Sequence, residues 1–317
     1  MRRKIAAIMT VITVLALMFS MSACGGKHEH KFEWEQNEHE HWRICVNPGC
    51  DGDFDKQQGE HEGYPCDVCD IAFNAVAFYT GINDQAHVSF VNEAKVWFAE
   101  TAKKSNFAFT ATDDWTKLND DYLKDIDLVM FLDTRPEDPE QRAAFQRFME
   151  RDGAWIGFHF SAFTMANSAY EPDWDWYHDE FLGSGEYVSN TWEPTTAKLK
   201  VETHEHCATK NLPDLFESTA CEWYRWEFDL RENPDVTILA SIDESSFPLG
   251  TKPPEVWYGG YYPVVWSNNN YNMLYMNMGH NRVTYGNNSQ DLSHTFDDEA
   301  QNRMLIDAMF GLTRKHK

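Results

Sequence analysis

Residues 153–162, GAWIGFHFSA, form an apolar run that ends in a histidine, and no other segment constrains the fold as much. A parallel strand buried on both faces reads as a continuous apolar stretch, and Trp155, Ile156, Gly157 and Phe158 make one. Open α/β sheets bind ligands beyond the carboxyl ends of their strands. His159 therefore stands where such a fold places a reactive group. Gly157 before it and the small Ser161 and Ala162 after it supply a tight strand-to-loop exit. Taken alone, the segment fits equally well a histidine hydrogen-bonded within a core.

The pattern around this strand settles the fold class. From residue 75 onward, short apolar strands alternate with longer amphipathic stretches, which predicts βαβ units and a mostly parallel sheet flanked by helices. Strands are expected at residues 76–79, 107–110, 128–132 and 155–158, and later at 198–201, 236–240, 264–266 and 273–276. Residues 88–103 carry Phe90, Val91, Ala94, Trp97, Phe98 and Ala102 at helical spacing. A second helix opens at Pro139, a residue tolerated in the first turn, and buries Ala144, Phe145, Phe148 and Met149. A closing helix is expected over 297–313, capped by Asp297 or Asp298.

The amino-terminal end follows a different grammar. Arg2, Arg3 and Lys4 precede an apolar stretch over residues 5–19 and the small residues of a cleavage site, the pattern of an export signal over residues 1–23. Met21, Ser22 and Ala23 before Cys24 resemble a bacterial lipobox, so Cys24 is the expected lipidation site, with an ordinary signal peptide as the alternative. The chain is then expected to sit in the cell envelope, anchored to the membrane by lipid. Residues 24–72 form a polar, histidine-rich tether and module. Its Cys45, Cys50, Cys66 and Cys69 have the spacing of two metal knuckles. So short and polar a segment buries little core, and a structural zinc would supply its folding energy. Two disulfides are the rival arrangement in an oxidising compartment. His28, His30, His39, His41 and His61 are spare ligands.

Charge excludes several partners. With 51 acidic against 27 basic residues the net charge is −24, and removing the three signal-peptide bases deepens it. Such a surface repels a phosphate backbone, so no nucleic acid is expected, and neutral ligands are favoured over anionic ones. Twelve Trp, 13 Tyr and 21 Phe are enough both to fill a core and to line a sugar cleft, since aromatic faces do either. Trp174, Trp176, Tyr177, Trp192, Tyr261, Tyr262 and Trp266 fall in loop-rich stretches and are the candidates for such a cleft.

Several phrases in fixed order carry a family resemblance over residues 75–313. They are His87, then Phe131-Leu132-Asp133-Thr134, Glu140-Gln141 with Phe145, and Gly157-Phe158-His159-Phe160-Ser161-Ala162. His206 with Ala208-Thr209 and Leu212-Pro213, Glu222-Trp223-Tyr224, and Met278-Gly279-His280-Asn281 follow. The region, within a domain over 73–317, resembles the trehalose-utilisation (ThuA-like) family, whose fold is that of class I glutamine amidotransferases. The amino-terminal pattern of residues 24–72 similarly resembles zinc-ribbon-like modules of exported bacterial proteins. Cys207 and Cys221 depart from the family pattern at two positions together. A disulfide between them is the first expectation, with free thiols or a second metal site as alternatives.

A glutamine amidotransferase needs a cysteine nucleophile at the elbow, and this chain has His159 there, which excludes glutaminase chemistry. The remaining polar groups suit acid/base work, with His159 and His280 as proton-transfer groups supported by His87 and Glu222. Asp133, Thr134, Ser161, Tyr224 and Asn281 are the candidate substrate-binding residues. Asp133 and Thr134 have a simpler reading as turn caps, and Glu222 and Tyr224 as members of a buried aromatic cluster. His178 and His294 are expected on the surface. The resemblance implies carbohydrate utilisation, with a small neutral sugar or an oxidised derivative as substrate and no known cofactor in the main domain. Three histidines could instead hold a catalytic metal with an open position. A non-catalytic glycan-binding or scaffolding surface lipoprotein is the alternative to an enzyme. Deleting residues 24–72 is expected to remove the structural zinc. Zinc content undiminished by that deletion, in elemental analysis, would refute the zinc-ribbon reading.

Overall fold

The computed structural model describes residues 31–36, 40–45, 59–60, 72–82, 84–163, 174–280 and 294–314. The chain divides into two units, Met1–His61 and Glu62–Lys317. In the first, strands β1 (Phe32–Gln36), β2 (Glu40–Cys45) and β3 (Gly59–Glu60) form a small antiparallel sheet, with Phe32 opposite Cys45. The Arg43 guanidinium lies 4.7 Å from the centre of the Phe32 ring. Cys45 ends β2, whereas Cys24, Cys50, Cys66, Cys69 and Asn281 lie outside the described residues. No helix among the described residues is long and apolar enough to cross a membrane.

The second unit is built on one nine-stranded sheet. Its parallel half uses β4 (Asn74–Phe78), β5 (Ala108–Thr112), β6 (Leu128–Phe131), β7 (Ala154–Phe158) and, much later in the chain, β14 (Asn272–Met276). These lie in the order β5, β4, β6, β7, β14, all parallel. In between, β8 (Tyr187–Asn190) and β11 (Tyr224–Trp226) pair as a separate antiparallel ribbon. Strands β9 (Lys198–Val201), β10 (Leu215–Glu217), β12 (Val236–Ile242) and β13 (Pro263–Asn268) extend the sheet antiparallel from β14. The parallel half is doubly wound. Its order reverses between β4 and β6, and that switch point is where such sheets open a crevice at their carboxyl ends.

Helices cover both faces, namely α1 (Gln85–Ser105), a short α2 (Asp120–Leu123), α3 (Pro139–Glu150) and α4 (Glu299–Leu312). Side chains alternate across a strand, so β4 sends Ala75 and Ala77 to one core and Val76 and Phe78 to the other. The first core takes Phe90, Ala94 and Phe98 of α1 with Met304, Leu305 and Met309 of α4. The second takes Phe145 and Phe148 of α3, Trp155 of β7, and Tyr177 and Phe181 of a helical turn at Trp176–Phe181.

Most expected elements are present with shifted ends. Helix α1 begins three residues earlier than its apolar stripe suggests, because the Asp84 side chain accepts from the Ala86 and His87 amides and starts the helix there. Asp298 alone caps α4, its carboxylate accepting from the Gln301 amide at 2.7 Å.

Three expectations are corrected. Cys207 and Cys221 are both free thiols. Cys221 is buried and donates to the Asn277 carbonyl at 3.1 Å, whereas Cys207 packs against Gly311 of α4. His178 is buried, its Nδ1 donating to the Trp174 carbonyl one turn back at 3.2 Å. Tyr177 and Trp266 are core residues with no exposed surface, so they line no cleft.

Phe145 is fully buried and meets Phe131, Trp155 and Phe181 with ring centres 4.8, 6.3 and 5.6 Å away. Phe145→Ala is expected to destabilise the fold by about 3–5 kcal/mol in urea unfolding. A loss below about 1 kcal/mol, the scale of a surface change, would contradict this packing.

Candidate active site

Strand β7 ends in a strained elbow. Phe158 is extended, and His159 follows at φ 38°, a left-handed conformation uncommon outside glycine. Gly157 makes the close turn feasible: a Cβ there would overlap the Trp155 ring and come within 2.7 Å of Ser161 Oγ. The parallel register of β7 with β14 places Phe158 opposite Met276, so the next residues, His159 and Asn277, meet. His159 Nδ1 donates to the Asn277 carbonyl at 2.8 Å, and the Tyr275 hydroxyl donates to the His159 carbonyl at 2.9 Å. A neutral imidazole with its proton on Nδ1 presents a bare lone pair at Nε2. That atom is buried with no hydrogen-bond partner among the described residues, and the Glu222 carboxylate is 3.6 Å away.

Two more strands deliver histidines to the same place. The loop after β4 leads into α1, whose first turn carries His87, and β14 leads through Gly279 to His280. Gly279 has φ 138°, and a Cβ there would press on the His159 Cβ at 3.1 Å. The three imidazoles form a triangle with ring centres 5.5 Å (His87 to His159), 4.9 Å (His87 to His280) and 5.3 Å (His159 to His280) apart. Asp84 completes the group, 3.6 Å from His87 Nδ1 and 3.8 Å from His280 Nε2. Asp84 was not singled out in the sequence, where its only signal is an N-cap three residues before His87.

Burial and mutual charge set the protonation of this cluster apart. Burial and the neighbouring His280 and His159 lower His87 to about 3, and burial with His280 holds His159 well below the usual histidine range. Burial acts against the charged form of His280 too, but its contact with Asp84 and the charge of Glu222 outweigh that and raise it. Burial likewise pushes the Glu222 carboxyl up. For Asp84, burial is outweighed by the contact with His280 and the charge of His87, and its carboxyl lies well below the usual range. The site thus sets His159, whose uncharged form burial favours, beside His280, whose charged form Asp84 and Glu222 favour.

The other expected residues fall in and around this group. Asn277, unexpected from the sequence, holds it together. Its side chain accepts from the Tyr224 amide at 3.0 Å and donates to the Glu222 carbonyl at 2.8 Å. Tyr224 is buried and its ring centre lies 4.0 Å from that of His159. Asp133 accepts from the Thr80 amide, the Thr80 hydroxyl and the Gly81 amide at 2.8–2.9 Å, so it ties the loop after β6 to the loop leading to Asp84. Thr134 directs its hydroxyl to the Arg135 carbonyl at 3.4 Å, and Ser161 keeps a buried hydroxyl with no hydrogen-bond partner among the described residues. The aromatic faces next to the histidines come from Phe160, Phe163 and Tyr187, all partly exposed. Phe160 lies 4.7 Å from His87, Phe163 stacks on Phe160 at 4.5 Å, and Tyr187 lies 4.6 Å from Phe163.

The ThuA family, described as trehalose utilisation, matches residues 75–294. This chain belongs to the ThuA family. A ThuA-like protein from Bacteroides uniformis, known from a crystal structure, is 35% identical to it with a TM-score of 0.68, covering 79% of this chain and 95% of that one. A second ThuA-like crystal structure, from Parabacteroides merdae, is 15% identical with a TM-score of 0.50, covers 76% and 90%, and speaks for the fold alone. None of the curated proteins matches the chain.

In this ThuA-family chain the elbow after β7 carries a histidine. The nearby Cys221 is a poor nucleophile. Burial pushes its thiol up to about 12, and it is already spent on the Asn277 carbonyl. Asn277→Ala is expected to cost about 2–4 kcal/mol in urea unfolding, because the Tyr224 amide and Glu222 carbonyl lose buried partners. A cost under about 0.5 kcal/mol would show that Asn277 does not organise the site.

Proposed function

We propose that this chain is an exported, lipid-anchored protein of carbohydrate utilisation that performs acid/base chemistry on a small neutral sugar or an oxidised sugar derivative. The observation that carries the chemistry is the fixed tautomer of His159: Nδ1 is committed to the Asn277 carbonyl, and Nε2 faces the cluster with Glu222 behind it. His159 takes a proton from the substrate at Nε2, and the imidazolium so formed is held by Glu222 and the Asn277 carbonyl. His280, charged against Asp84, donates a proton to the substrate oxygen on the opposite side, with His87 flanking both. Phe160, Phe163 and Tyr187 offer ring faces on which a sugar stacks. The acidic surface favours a neutral ligand over an anionic one, and the family description makes trehalose and its oxidised derivatives the first substrates to assay. Cys24 would carry the anchor, and structural zinc would belong to the module of residues 24–72.

His159→Ala is expected to lower turnover about 10²- to 10⁴-fold while calorimetric sugar binding is retained. Suppose instead that the protein binds such sugars, turns over none, and His159→Ala merely weakens binding. The non-catalytic glycan-binding or scaffolding reading would then replace this one.

A further inference from the structure

Three groups at the carboxyl ends of β4 and β14 are arranged in a way that hydrogen bonding does not explain. The Asp84 carboxylate, His87 and His280 each offer one ligand atom, and all three atoms lie within 4.8 Å of one another. Asp84 stands 3.6 Å from His87 Nδ1 and 3.8 Å from His280 Nε2. Both separations exceed the roughly 2.7–3.2 Å of a hydrogen bond. They come close to the edge of a tetrahedron around a first-row ion, on the order of 3.4 Å for bonds of about 2.1 Å.

His87 adds an independent observation. Its side chain is 7% exposed, and neither ring nitrogen has a hydrogen-bond partner among the described residues. An imidazole buried this way forfeits the hydrogen bonds it would make in water, which leaves it in need of a partner. Its Nδ1 faces Asp84, whose Oδ1 is braced by the Ala86 and His87 amides at 2.9 and 3.3 Å, while Oδ2 faces His280. Carboxylate ligands are oriented by such outer hydrogen bonds.

We infer that Asp84, His87 and His280 form a binding site for a divalent first-row transition-metal cation. Two imidazoles and a carboxylate suit zinc or ferrous iron and leave at least one coordination position open. This site is separate from the cysteine knuckles of residues 24–72, and its ligand set differs from a simple trio of histidines. His159 is not a member of the set: its Nδ1 is bonded to the Asn277 carbonyl, and its unpartnered Nε2 lies 3.6 Å from the Glu222 carboxylate. With the ion bound, His280 would act as a ligand and not as the proton donor proposed above, and the cation would supply the positive charge in its place. Metal binding does not depend on the sugar assignment, although it concerns the same cleft.

The test uses the full-length chain, stripped with a chelator and titrated with Co²⁺ while its absorption is followed. The wild type is expected to bind one more Co²⁺ per chain than His87→Ala, and the component lost should show d–d bands without thiolate-to-metal charge transfer. Asp84→Asn keeps a good helix cap and is expected to weaken that component by about 100-fold or more, beyond the effect of losing an outer-shell partner. It serves if His87→Ala does not fold, with far-UV circular dichroism as the check. His159→Ala should keep the full Co²⁺ stoichiometry, so that loss of turnover in that variant is distinguishable from loss of metal. Equal stoichiometry and affinity in wild type, His87→Ala and Asp84→Asn would overturn the inference. So would binding accompanied only by thiolate charge transfer.

Discussion

The parallel pairing that sets Phe158 of β7 opposite Met276 of β14 is the constraint on which the site depends. One residue beyond that pair, the His159 ring meets the Asn277 carbonyl, which fixes its tautomer and leaves the second nitrogen bare. A strand slipped by one position would turn every side chain to the opposite face and separate the two. The register is held by what the strands bury, since Trp155 and Ile156 face different cores and neither tolerates the other's place. Packing far from the histidines therefore sets which of their atoms can accept a proton.

The same carboxyl ends of the strands gather groups from distant parts of the chain. His87 comes from the helix after β4, His159 from the elbow after β7, His280 from the end of β14 and Glu222 from the segment before β11. Asp133, from the loop after β6, ties down Thr80 and Gly81 on the way to Asp84. This is the edge of a doubly wound sheet, next to the point where its strand order reverses, at which such folds bind ligands. β14 has a second duty, because it is parallel to β7 on one side and antiparallel to β13 on the other. The parallel half thus positions the three histidines, and the antiparallel half continues the same sheet beyond β14.

Much of this was legible in the sequence, and the gaps have physical causes. Continuous apolar runs announced the parallel strands, and the run into His159 located the edge where the histidines gather. His87 and His280 stood out because each follows a strand. Asp84 did not, because an aspartate three residues before a helical histidine reads as a cap, and it is also a cap. Asn277 was hidden for a similar reason: its importance lies in hydrogen bonds to residues 53–118 positions away. The expected pairing of Cys207 with Cys221 failed because two positions that depart together from a family pattern need not be bonded, and each thiol has its own surroundings, the Asn277 carbonyl for Cys221 and Gly311 for Cys207. His178 and Tyr177 were misplaced because a segment that seems irregular is folded onto the second core by aromatic packing, and Trp266 because its strand was expected but the face it buries was not. The order of the antiparallel strands was not visible either, since it rests on pairings between distant segments.

The left-handed backbone at position 159 also restricts how this position can diverge. At φ 38° a β-branched or bulky apolar side chain is strongly disfavoured, while histidine, asparagine, aspartate and glycine are among the few residues that visit the region readily. An ordinary core position can drift among Val, Ile and Leu with little consequence. Position 159 has no such neutral neighbourhood. Its accessible substitutes are nearly all polar, so a descendant that lost the histidine would tend to carry another polar group into the same crevice. The turn thereby biases the lineage toward new chemistry at this point and away from a silent, filled core.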